Sequence, residues 1–127
     1  MLAEIAGYLV ANSIGTLGTN IFIADIPEKP DLAVMLFDRP GSQNLYTYDG
    51  ERVEMPGLQV LVRGEQSDYS TARTKAATVY ALLDGVANTV IGTHTYLSIM
   101  ASSPPYDYGP DGMGRQIFET NFQIRRT

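Results

Sequence analysis

The chain opens with apolar residues spaced three and four apart, Leu2, Ile5, Ala6, Leu9 and Val10, and Ser13 and Ile14 continue the stripe. That spacing predicts a short amphipathic helix, since such residues share one face of an α-helix. Asn12 and Gly15 supply its stop. A strand is expected at Asn20 to Ala24, and Asp25 to Asp31 follows with Pro27 and Pro30 three apart. Two prolines remove backbone donors, so this segment reads as a rigid extended crossover and not as a central strand. Leu32 to Phe37 is continuously apolar, the pattern of a strand covered on both faces or central in its sheet, and Arg39-Pro40-Gly41-Ser42 is expected to close it.

Between Gln43 and Glu54 the alternation through Leu45, Tyr46, Tyr48 and Val53 is weak, and Asp49-Gly50 favours a tight turn. An exposed, twisted ribbon is expected there. Pro56-Gly57 punctuates the chain, which places the next strand at Leu58 to Arg63, ended by Gly64. Ser67 or Asp68 then caps the clearest element, a helix to about Leu83 whose packed face is Tyr69, Ala72, Ala76, Val79, Tyr80 and Leu83. Gly85 suits its C-terminal cap. Short strands are expected at Thr89 to Ile91 and Thr95 to Ala101 about a Gly92-Thr93 turn, then a long loop from Ser102 to Gly114. The last strand, Arg115 to Arg125, alternates strictly, with Phe118, Thr120, Phe122 and Ile124 on the buried face. These elements imply a single domain over residues 1–127: a two-layer α+β fold, mostly antiparallel sheet, with the main helix and the N-terminal helix on one face.

Composition narrows the function classes. The chain has 127 residues, 44% hydrophobic and 18% charged, the latter below the roughly 25% usual for a soluble monomer. That deficit, with eight Tyr and four Phe, points to surface covered by a partner. No Cys is present, which excludes a disulfide scaffold, a thiolate nucleophile and every cysteine-containing zinc site. The formal net charge of −5 argues against nucleic-acid wrapping by counterion release. The N-terminus lacks the basic, then apolar pattern of a signal peptide, and no stretch approaches the ~20 residues of a membrane span; no membrane role is expected.

Candidate chemistry is sparse. Gly15-Thr16-Leu17-Gly18-Thr19 lacks the Gly-Lys-Ser/Thr ending of a phosphate loop and follows a helix, so it reads as a turn. His94 is the single histidine, expected at a turn or strand end with a local hydrogen bond, and no carboxylate lies within five residues of it. No acidic cluster has the register of a calcium loop. Neither a catalytic centre nor a cofactor is expected. The candidate interface residues are Tyr46 and Tyr48 of the ribbon, Tyr106, Tyr108 and Met113 of the 102–114 loop, and the basic residues Arg63, Arg125 and Arg126, which suit an acidic partner surface.

In order along the chain, the short N-terminal helix, Gly15 to Thr19 leading to Ile21-Phe22, Pro27 to Asp31 before the apolar strand, Pro56 to Gly64, the helix ending Tyr80-Ala81-Leu82-Leu83-Asp84-Gly85, and Asp111 to Arg115 followed by Phe118 and Asn121-Phe122 form a pattern. That pattern resembles the minor capsid or tail terminator proteins of long-tailed bacteriophages. The resemblance implies a virion protein at the tail–head joint, made in the host cytoplasm. It further implies a ring, generally of six copies, that caps the tail tube, ends its polymerisation and joins the head. The implied partners are further copies of the chain, the tail tube protein and the head–tail connector protein, with DNA passing through the lumen without specific binding. The chain departs from the family pattern mainly at Gln43 to Glu54, which is longer and richer in tyrosine. The competing readings are a monomeric or dimeric protein-binding module without catalytic activity, and a small hydrolase or transferase, which a pocket holding His94 beside a carboxylate would favour.

Overall fold

The last strand organises the core, but it is not half-buried throughout as expected: burial alternates from Thr120 to Arg125, whereas Ile117 to Thr120 are buried on both faces. In the computed structural model, which describes residues 1–127, the elements are α1 (Leu2–Ala11), β1 (Ile21–Ile23), β2 (Ala33–Tyr46), β3 (Arg52–Gln66), α2 (Tyr69–Leu83), β4 (Val86–Ile91), β5 (His94–Ala101), β6 (Tyr106–Pro110) and β7 (Arg115–Arg126). The sheet order is β1-β2-β3-β7-β5-β4, with β6 also on β7; every pairing is antiparallel except β1 with β2. Both helices cover one face. Ile5, Ala6 and Leu9 of α1 and Ala72, Ala76, Val79 and Leu83 of α2 pack on Val60, Val62, Phe118, Phe122 and Ile124. The expected two-layer α+β arrangement is the one observed.

Asp68 caps α2, its carboxylate accepting from the Thr71 N–H at 3.2 Å. The helix lies close to the sheet: a Cβ added at Gly64 would sit 2.6 Å from the Ala72 Cβ. Ala72 and Ala76 are buried as expected, whereas Tyr69 and Tyr80 flank the packed face, Tyr69 touching Phe118 edge-on at a centroid distance of 5.3 Å. Ala76→Leu is therefore expected to overpack this contact and cost about 1 to 3 kcal/mol, seen as a lower melting temperature. Melting at the parental temperature would mean that this face of α2 is not packed.

Three boundaries differ from the sequence reading. Pro40-Gly41 does not close β2, and Pro56-Gly57 does not start β3: both strands run through as one long hairpin to Tyr46↔Arg52. Arg39 pairs with Gly57 and Ser42 with Met55, so β2 carries one extra residue at Pro40-Gly41, opposite Pro56. A bulge of this kind accommodates a proline that has no N–H to give. A Cβ at Gly41 would collide with the Met55 carbonyl, so glycine is required there by the approach of the two backbones. The 102–114 segment is also not all loop. β5 leaves β7 at Ala101↔Phe122, and β6 fills the freed edge at Tyr106↔Glu119 to Pro110↔Gln116. The stop of α1 is where expected, at Ala11 with Asn12 as its C-cap, and Ser13 takes a left-handed φ of 63° that turns Ile14 back into the core.

The sheet face away from the helices carries a smaller apolar cluster of Met35, Leu61 and Ile117, flanked by Phe22 and Phe37. The crossover between β1 and β2 runs across one end of that face, so the proline-rich segment is a strap over the sheet.

Candidate functional site

Two polar clusters and two exposed patches are the features able to do work. The first cluster gathers on Glu4 in the opening turn of α1. Glu4 Oε1 accepts from the Tyr96 hydroxyl at 2.8 Å and from Arg126 Nη1 at 3.1 Å, Oε2 accepts from the Thr93 N–H at 2.9 Å, and His94 Nδ1 lies 3.0 Å from both oxygens. Gly92, at a φ of 64°, makes the turn and leaves the room that the carboxylate occupies. Burial by itself would raise the Glu4 pKa; the bonds from His94, the Thr93 N–H and Tyr96 together outweigh it and bring it to about 2. Burial and the bond to Glu4 push the Tyr96 phenol up to about 12.

His94 is thus a strand-end residue, as expected, but its main partner is 90 residues away. The pair has the residue types of an acid–base dyad. Yet a carboxylate surrounded by fixed donors and held ionised is a weak base. The open groove alongside, between α1 and β4, presents only Glu4 and the Tyr8 phenol as polar side chains. The cluster is a tie between α1, β5 and the end of β7.

The second cluster fastens the strap. Arg63 is 1% exposed and donates from Nε to the Asp31 carbonyl at 3.0 Å and from Nη2 to the Pro30 carbonyl at 2.7 Å. Arg115 donates to the Glu28 carbonyl, to Asp31 Oδ1 at 3.1 Å and to Asp111 Oδ2 at 2.8 Å. The Arg115 bond, and after it the Lys29 bond, holds the Asp31 pKa below the ordinary carboxylate value. Asp111 is also lowered: burial opposes the shift, and the Arg115 and Met113 N–H groups and the Arg115 side chain prevail. No group of three or more His, Asp or Glu is placed to hold a metal ion.

The expected interface residues therefore divide. Arg63 is buried under the strap and offers nothing to a partner surface, a correction to the sequence reading. Arg126 is also turned inward, its side chain 13% exposed and paired with Glu4 and Glu54, while Arg125 on the opposite face is exposed. Tyr46 and Tyr48 sit at the exposed tip of the β2–β3 hairpin with Leu45. Tyr106, Tyr108 and Met113 are exposed around β6, on the segment that edges the first half of β7. Val62 pairs with Phe118 near the β6 end, and ten residues of β3 separate Val62 from Arg52 at the hairpin tip, so the two patches lie roughly 30 Å apart.

The profile of the family described as "Bacteriophage tail terminator protein" matches residues 8–127. The chain belongs to that family. It is accordingly a structural, non-catalytic phage virion protein of the tail–head junction, and its partners are those of tail and head–tail assembly. Among solved structures, a chain from the virion of a native gene transfer agent particle shares the fold with a TM-score of 0.73 at 16% identity, covering 99% of this chain and 93% of that one. No curated protein matches the sequence significantly.

In this tail terminator the Glu4 tie escaped sequence reading altogether. Glu4, His94, Tyr96 and Arg126 come from three distant segments and carry no mutual spacing signal. The one available hint was an acid in the first turn of an amphipathic helix, a position that the helix dipole already explains. Arg63 carried a clearer signal: it continues the alternation Gln59, Leu61, Arg63 on a strand, so it belonged to a sheet face and not to a strand end.

Proposed function

We propose that this tail terminator acts as a single-domain subunit, residues 1–127, of a closed ring of six copies. The ring caps the tail tube, stops its polymerisation against tube protein, and presents the surface that meets the head–tail connector protein. The observation that carries this reading is the separation of the two exposed aromatic patches. Patches at two ends of one sheet cannot satisfy each other within one chain, and a contact between unlike patches of successive copies forms either a ring or an endless fibre. A cap must close. The family match over residues 8–127 supports the setting, and the copy number rests on the resemblance to long-tailed phage terminators.

Six copies multiply a formal charge of −5, of the same sign as the phosphates, so DNA is expected to pass through the lumen without specific binding. Native mass spectrometry at high protein concentration, with tube protein added if the free chain is monomeric, is expected to show a hexamer. Duplex DNA is expected to bind weakly. A stable dimer that never closes on the tube, or tight salt-sensitive DNA binding by the isolated chain, would overturn the reading in favour of a protein-binding module.

A further inference from the structure

Past the pair Glu54↔Arg126 the β2–β3 hairpin has no third strand, and its last pairs are Leu45↔Val53 and Tyr46↔Arg52. A free two-stranded hairpin is only marginally stable in water, and this one ends in exposed Leu45, Tyr46 and a fully exposed Tyr48 beside Asp49 and Glu51. The outer side of α2 is its chemical counterpart. In a chain of net charge −5, Tyr69–Leu83 carries Arg73 and Lys75 and no acid; Lys75 is tied to the Ile14 carbonyl, which leaves Arg73 as the exposed cation. Beside Arg73 runs a groove of about 240 Å³, lined by Arg73, Ala77, Tyr80, Pro104, Pro105 and Phe118. Proline rings, aromatic edges and a guanidinium make a seat suited to a tyrosine ring, and this guanidinium already lies 6.0 Å from the centroid of Tyr69.

The tip cannot reach the groove of its own chain. Phe118 in the groove wall pairs with Val62, ten residues of extended β3 from Arg52, a span of roughly 33 Å along a rigid sheet. We propose that the hairpin of one copy seats Tyr48 in the α2 groove of the next copy, with Asp49 and Glu51 facing Arg73. This rests on the self-assembly reading and names the contact that would close the ring. An aromatic ring and two carboxylates from one tip matched to an apolar groove and a cation give the contact direction, so each copy both inserts an arm and receives one.

The test is a charge exchange read on ring assembly, with the parent chain measured alongside under the same conditions. Tyr48→Ala and Arg73→Glu are each expected to weaken ring formation at least tenfold while moving the melting temperature of the free chain by no more than a few degrees, since both side chains are exposed and Arg73 gives up only its bond to the Tyr69 hydroxyl. Asp49→Lys/Glu51→Lys combined with Arg73→Glu is expected to restore it. Full assembly by either single variant, or loss by Arg73→Glu that the reversed tip does not repair, would overturn the arm-in-groove contact while the parental ring leaves the terminator reading standing. Protection of the hairpin by tube protein without any effect of Arg73→Glu would also overturn it, assigning the arm to the tube. A parent that forms no ring even on the tube would remove both.

Discussion

Glu4→Ala is expected to lower the stability of the free chain by about 2 to 4 kcal/mol, because it strips the acceptor from Arg126, Tyr96 and His94 at once and leaves a largely buried cation without its nearest partner. For a domain of this size that is a drop of roughly 10 °C in melting temperature. The acid limb of the stability curve gives a second, independent readout. Glu4 has a folded pKa of about 2 against an ordinary 4.5, so its contribution is fully present above pH 4.5 and disappears as pH falls through that window to about 2. Discounted for the solvent at the edge of the cluster, this contribution is roughly 1 to 2 kcal/mol. The difference between parent and Glu4→Ala should therefore shrink as pH falls from 4.5 to 2. Superimposable melts at pH 7 would show that α1 is held by its apolar face alone.

Arg115→Ala is expected to cost about 2 to 3 kcal/mol, by urea denaturation, through loss of three bonded acceptors on two separate segments. It should loosen the strap, which then keeps only its two bonds from Arg63, and uncouple it from the Asp111–Arg115 turn, because Arg115 is the one side chain that bonds both. Two further signs distinguish untying from a general loss of packing. Freed from Arg115, Asp31 and Asp111 should titrate closer to ordinary carboxylates in carboxyl-detected NMR. Amide exchange should speed up across Glu28 to Leu32 ahead of the core strands. Arg115→Lys should not rescue fully, since an ammonium lacks the planar fork that reaches Asp111 and Glu28 together. Unchanged titration of Asp31 and Asp111 in Arg115→Ala would refute the tie.

Much of the fold was legible because it rests on local periodicity. The alternation of β7 from Thr120 to Arg125, the capped and amphipathic α2 and the Asp49-Gly50 turn each carry their own signal within a few residues. The misplaced boundaries share one cause. Pro40-Gly41 and Pro56-Gly57 each read as a stop when taken alone, and it is their placement opposite one another that converts two breaks into one bulge. In the same way the 106–110 segment becomes a strand only because β5 departs from β7 and leaves hydrogen-bonding groups free.

By itself the sequence determined a cysteine-free acidic chain, the α+β order of its elements, the two helices on one sheet face, and the aromatic loops in need of cover, all properties that follow from composition and short-range pattern. Tertiary structure alone decided which charges face solvent. It buried Arg63 under a strap 32 and 33 residues earlier in the chain, drew Glu4 and Arg126 together from opposite ends, and set Tyr48 far from the groove beside Arg73. The physical reason is that a buried charge must find its partner wherever the sheet register brings one, and register couples residues by strand order rather than by sequence distance.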